Sequence, residues 1–103
     1  MCLYGGFLRT DGQAGLPDII EHLNHMVSVM GIDHVGIGTD FDGDGGVPGC
    51  ANASELINLT EALQAEGLTD DDLRRLWGGN FIRVMQQCQA AAEITLVSAA
   101  GPK

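Results

Sequence analysis

The run GIDHVGIGTDFDGDG, residues 31–45, is the stretch from which the rest of the chain can be read. Val35 and Ile37 alternate with glycines after a break at Gly31, the period-two pattern of a short buried strand, predicted over Asp33–Thr39. That strand delivers Asp40, Asp42 and Asp44 into a glycine-rich loop. Carboxylates this close repel one another, and no Lys or Arg stands between them. The cluster calls for a cation, a proton or open solvent.

Upstream, apolar residues at 16, 19, 20, 23, 26, 27 and 30 form the stripe of an amphipathic helix, with Pro17 in its first turn and Gly31 as its stop. Met1–Tyr4 reads as the end of a strand, and Gly5–Gly15 as a loop. Strand, helix, strand is the order of a parallel βαβ unit. Downstream, Asn52 with Glu55 makes a capping box for a helix carrying Leu56, Leu59 and Leu63 that stops at Gly67. A second box, Thr69 with Asp72, opens a short helix through Leu73, Leu76 and Trp77, ended by Gly78 and Gly79. Asn80 then caps a last helix bearing Phe81, Ile82 and Met85, and residues 90–103, rich in small side chains, are expected to fray.

Composition narrows the partners. A 103-residue chain with 14 acidic against 5 basic residues is a poor match for nucleic-acid phosphate. At 45% hydrophobic it can build a core, yet no apolar run reaches the roughly 18 residues that cross a bilayer. Cys2, Cys50 and Cys88 are odd in number and widely spaced, which predicts reduced thiols rather than a disulfide framework. One strand and the remnant of another cannot cover the apolar faces of several helices, so the chain is expected to be the end of a larger α/β unit. A barrel or an open doubly wound sheet would each collect functional groups at the C-terminal strand ends, where Asp40 falls.

The acidic loop admits three roles. Asp40, Asp42, Asp44 and Gly45 match positions 1, 3, 5 and 6 of a calcium-binding loop, but Ala51 replaces the closing Glu and a strand replaces the incoming helix. It could equally be a solvated turn, or a strand-end catalytic carboxylate.

GIDHVGIGTDFDG at 31–43, preceded by HLNHM at 22–26 and followed by GGNFIRV at 78–84, closely resembles the C-terminal segment of the membrane (renal) dipeptidase family, over roughly residues 1–89. The resemblance implies an α/β fold: residues 1–103 as the C-terminal fragment of a TIM-type (β/α)8 barrel, with the end of strand 7, helix 7, strand 8 and the closing helices. The flank at Cys2–Leu8 is most similar to bacterial members. The implied activity is zinc-dependent hydrolysis of dipeptides with free termini, on two zinc ions. Asp40 falls on the family's strand-end acid, a proton carrier that contacts the substrate amine, and Tyr4 on a tyrosine that lines the substrate pocket. The family's zinc ligands and its substrate-carboxylate Arg fall upstream of this chain, so no metal ligand is assigned here and the isolated fragment is expected to be inactive. His22 and His25 then lie on an exterior helix and His34 low on a strand, all structural, as are Asn80 and Arg83 as anchors of the last helix. Asp42 and Asp44 are expected to shape the loop by bonds to backbone amides. The alternatives are a noncatalytic remnant that associates through its edges and a small calcium-binding protein. Expected partners are a dipeptide substrate and further copies of the chain, through exposed sheet edges; nucleic acid and a transmembrane segment are not expected. A soluble protein of the bacterial cytoplasm or periplasm is the expected setting.

Overall fold

The computed structural model describes residues 1–100, with side chains through Glu93. α1, Gly5–Leu8, is a single turn where a loop is expected, and it buries Leu8. α2, Leu16–Met30, begins and ends on the residues that its stripe of apolar positions predicts. Pro17 sits in the first turn, whose N–H groups have no helical partner, and the Asp18 carboxylate accepts the Gly15 N–H at 2.9 Å. Gly31 closes the helix at φ 83°, its N–H bonding the Val27 carbonyl at 2.8 Å. Between α1 and α2, Arg9 clasps the Asp11 carboxylate, which also accepts the Gln13 N–H at 3.0 Å. The Arg9 hydrogen bond first, and then that backbone bond, hold the Asp11 carboxyl down to about 2.

The run at 31–45 departs from its expected form. Ile32–His34 is a 3₁₀ turn, and the chain becomes extended only at Val35 (φ −117°, ψ 137°). From there it lies beside Met1–Leu3: the Met1 ammonium donates to the Gly36 carbonyl at 2.6 Å, Gly38 N–H to the Met1 carbonyl at 2.8 Å, and Cys2 pairs in parallel with Gly38. The predicted strand Asp33–Thr39 is therefore corrected to a short extended segment joined to Met1–Tyr4 by isolated bridges, and the regular elements among the described residues are all helical. A strand inside a parallel sheet is paired along both edges and covered on both faces. Here, among the described residues, the other edge meets only the Leu76 carbonyl, which accepts the Ile37 N–H at 3.2 Å.

α3, Leu56–Ala65, follows a 3₁₀ turn at Ala53–Glu55. Asn52 accepts the Ser54 N–H at 3.1 Å, but Glu55 reaches back to the Ala51 N–H at 3.0 Å, one residue beyond the reciprocal partner of a capping box. α4, Asp70–Arg74, has the expected box, Thr69 Oγ1 with Asp72 N–H at 3.2 Å and Asp72 with Thr69 N–H at 3.1 Å. Gly78 and Gly79 bend the chain instead of ending it: a wide turn, Arg75–Gly79, kinks at Gly78 (φ 153°) and runs on into α5, Asn80–Ala100. α5 is helical past Ala90; the frayed tail expected there falls in part outside the described residues. Among the described residues no helix is long and apolar enough to cross a membrane.

Asn80 is not an N-cap. It is itself helical (φ −63°, ψ −44°), and only 6% of it is exposed. Its Nδ2 donates to the Ile32 carbonyl at 2.6 Å and the Val35 carbonyl at 2.9 Å, while its Oδ1 accepts Arg83 at 3.2 Å. Arg83 also donates to the Asp33 carbonyl at 2.7 Å, and Arg75 pairs with the Asp33 carboxylate at 3.1 Å. These contacts give Asn80 and Arg83 the anchoring role expected of them. Beneath the tie, Leu3 and Val35 join Ile19, Leu23, Leu59, Leu63 and Leu76 in one buried cluster.

Asn80→Ala leaves two carbonyls short of a donor and should cost about 1–3 kcal/mol in urea unfolding. Asn52→Ala, an exposed cap, should cost about 1 kcal/mol; equal losses would show that the Asn80 tie carries no special weight. The depressed Asp11 carboxyl adds stability that is complete above the ordinary Asp range and is lost as pH falls through about 2. Arg9→Gln should return the Asp11 midpoint toward the ordinary range in an NMR titration.

Candidate functional site

The C-terminal ends of the two extended segments meet at one place. Side chains alternate along them. Leu3 and Val35 are buried toward the helices, whereas Gly36, Gly38 and Tyr4 are exposed. Tyr4, ending the first segment, bridges Gly45 and Gly46, and Gly46 N–H donates to the Leu3 carbonyl at 2.9 Å. The loop that begins at Asp40 is thus folded back onto the segment that ends at Tyr4. No hydrogen bond joins the Tyr4 and Asp40 side chains.

Asp40 holds the turn at φ 59°, and is the one described residue other than glycine with positive φ. Its carbonyl accepts the N–H groups of Gly43 at 3.0 Å and Gly45 at 2.9 Å. Asp tolerates this left-handed conformation better than most side chains, at a cost of about 1–3 kcal/mol that the loop bonds offset. The glycines make it possible. A Cβ on Gly45 would lie 1.8 Å from the Thr39 carbonyl oxygen, and one on Gly43 would lie 2.8 Å from Asp40 Oδ1. The carboxylate therefore lies over Gly43, exposed and with no hydrogen-bond or ion-pair partner among the described residues.

Asp42 and Asp44 are also exposed and make no bond to the loop amides, so the turn is shaped by backbone bonds and glycines rather than by their side chains. Asp44 instead borders a recess of about 250 Å³ with Tyr4, Gly6, Ala14, Val47 and Pro48. The Tyr4 ring lies across Gly6, whose Cβ would come within 2.8 Å of it, and meets Phe7 edge-on with centroids 4.8 Å apart. Neither Gly6 nor Asp44 stands out in the sequence as part of a pocket. The only signal was the density of glycine around each.

Among the described residues no three His, Cys, Asp or Glu side chains come together in a way that could hold a metal ion. Asp40, Asp42 and Asp44 do not converge as a calcium loop requires. His22 is spent on the Leu8 carbonyl, 3.1 Å from Nε2, and His25 and His34 are exposed. Cys50 is buried, and burial first, then Glu55, pushes its thiol up, away from the reactive thiolate. Among the described residues no set of side chains could hold the two-zinc centre that the resemblance implies.

The sequence model of the membrane dipeptidase family, peptidase family M19, matches residues 1–98. Dipeptidase aclJ of Aspergillus oryzae is 35% identical over 80 residues, which cover 77% of this chain and 19% of that protein. Among solved structures, a metallopeptidase of Rhodobacter sphaeroides, liganded with a phosphinate mimic of the dipeptide L-Ala-D-Ala, superposes with a TM-score of 0.76 at 32% identity over 82% of this chain and 25% of its own. The probable dipeptidase PvdM of Pseudomonas aeruginosa does so with a TM-score of 0.66 at 46% identity, over 68% of this chain and 18% of its own. The chain spans about a fifth of the length of the curated relatives it matches. With nearly every residue inside the family match, and the same fold in relatives 32% and 46% identical, the chain belongs to the membrane dipeptidase family, peptidase family M19.

Proposed function

We propose that this chain is the C-terminal part of a metallo-dipeptidase barrel and that Asp40 is its proton carrier. The observation that carries the proposal is the placement of Asp40: an unpaired carboxylate in a left-handed turn, at the end of an extended segment that runs parallel to a neighbour ending in Tyr4. Parallel order at that position is what strands 7 and 8 of a (β/α)8 barrel would have, and such barrels carry their chemistry at this end. The helical character of the described residues is compatible with it, since the strands that would complete the ladder belong to other parts of the barrel.

In this reading the substrate is a dipeptide with a free amino terminus. The Asp40 carboxylate accepts a hydrogen bond from the ammonium group, takes a proton from the attacking water, and returns it to the amine nitrogen as the peptide C–N bond breaks. Tyr4 borders the pocket and offers its hydroxyl to the substrate. The described residues assemble no zinc site. Ligands for the two zinc ions would come from upstream parts of the enzyme.

The isolated 103-residue chain should therefore release no amino acid from dipeptides, with or without added zinc; chelator-sensitive hydrolysis by the fragment would overturn the proposal. In an enzyme completed with the upstream part of a family member, Asp40→Asn should lower kcat by about 10²–10⁴-fold with zinc content unchanged. Gly45→Ala should act in the same direction, because its Cβ would displace the turn that holds Asp40. Asp42→Asn and Asp44→Asn should be far milder. Near-normal kcat for Asp40→Asn would make the acid a loop residue, and loss of zinc would make it a ligand.

A further inference from the structure

The recess of about 250 Å³ beside Tyr4 is smaller than the roughly 300–1,000 Å³ of a whole small-molecule site, so it has room for one side chain rather than for a dipeptide. Its walls are of two kinds. Ala14, Val47 and Pro48 bring apolar surface, and glycines keep the space between them open. Tyr4 and Asp44 are the polar side chains that border it, and no Lys or Arg does.

That combination sorts side chains by charge. Asp44 is exposed and has no partner among the described residues. Arg9, close to it along the chain from Gly6, is already committed to Asp11 and Asp18. An acidic side chain entering the recess would meet like charge, and an uncharged one would cover the carboxylate without pairing it. A cation on an aliphatic stem can pair with Asp44 while its methylenes lie on Val47 and Pro48. It also gains the electron-rich ring of Tyr4, which Phe7 holds edge-on with centroids 4.8 Å apart.

We propose that Asp44 is a specificity-determining residue, and that the recess takes a cationic side chain, an ammonium or guanidinium on an aliphatic stem, from the first residue of the dipeptide. The inference rests on the reading of Asp40 as the contact for the substrate amine. That amine and the first side chain branch from one carbon, so a recess bordered by the loop that Asp40 opens lies nearest to the first side chain. Asp42 supplies the contrast. It is exposed in the same loop and also lacks a partner among the described residues, yet it does not border the recess.

The test gives the completed enzyme lysyl-alanine, norleucyl-alanine, which keeps the stem without the ammonium, and alanyl-lysine. The ratio of kcat/KM for lysyl-alanine over norleucyl-alanine should be about tenfold, and Asp44→Asn should bring it close to one. Asp42→Asn, which removes the same charge from the same loop, should leave the ratio as it was. Calorimetric affinities of the same dipeptides for the assembled protein should show the same ratios, whatever the rate of turnover. No preference in the parent enzyme, a preference untouched by Asp44→Asn, an equal loss with Asp42→Asn, or a cation preferred at the second residue would overturn the proposal. Near-normal kcat for Asp40→Asn with the Asp44-dependent preference kept would remove the proton carrier and leave the recess standing. A slow Asp40→Asn enzyme whose parent shows no preference for the cation would do the reverse.

Discussion

A single buried carboxamide sets the geometry on which the rest depends. Asn80 reaches across 45 and 48 residues of sequence to hold the Val35 and Ile32 carbonyls, and its own oxygen is taken by Arg83. A buried polar group whose donors and acceptor are satisfied fixes one arrangement, because every alternative leaves one of them unpaired. Here the arrangement fixed is the exit of the chain from the Ile32–His34 turn, and with it the direction in which Val35–Thr39 delivers Asp40. The same bonds fasten the start of α5, which otherwise shows Phe81, Ile82, Val84 and Met85 to solvent.

Beyond that tie the site is made by glycine. The loop that follows Asp40 closes on the Asp40 carbonyl, touches the Thr39 carbonyl through Gly45, and pairs with Tyr4 through Gly45 and Gly46. A larger residue at 45 could not make that approach. The acids at 42 and 44 take no part in holding it, which leaves all three carboxylates without a partner among the described residues and their repulsion relieved by solvent. A carboxylate placed by backbone contacts alone is free to meet a substrate cation.

Local rules read well where local chemistry decides. Leu16–Met30 followed from its stripe, Pro17 and Gly31, and the Thr69–Asp72 box from side chains three residues apart. Rules failed where a partner far along the chain competes. Asn80 looked like a cap because its alternative acceptors are invisible at short range, and Gly78–Gly79 looked like a stop although a kink lets the helix resume. The strand at 33–39 was a fair inference from alternation, but a ladder is a property of neighbours, and this chain supplies only Met1–Leu3. Asp40 is proposed on family resemblance, while Gly6 and Asp44 beside Tyr4 depend on how the α1 turn meets the loop that follows Asp40, which no spacing encodes.

In the proposed function, the Asp40 end of this segment meets the substrate. A crystal structure of the completed enzyme with a bound dipeptide mimic tests it most directly. An Asp40 carboxylate oxygen is expected within about 2.6–3.2 Å of the mimic's amino nitrogen, with Tyr4 lining the same pocket. A mimic bound elsewhere, with Asp40 still turned to solvent over Gly43, would contradict it.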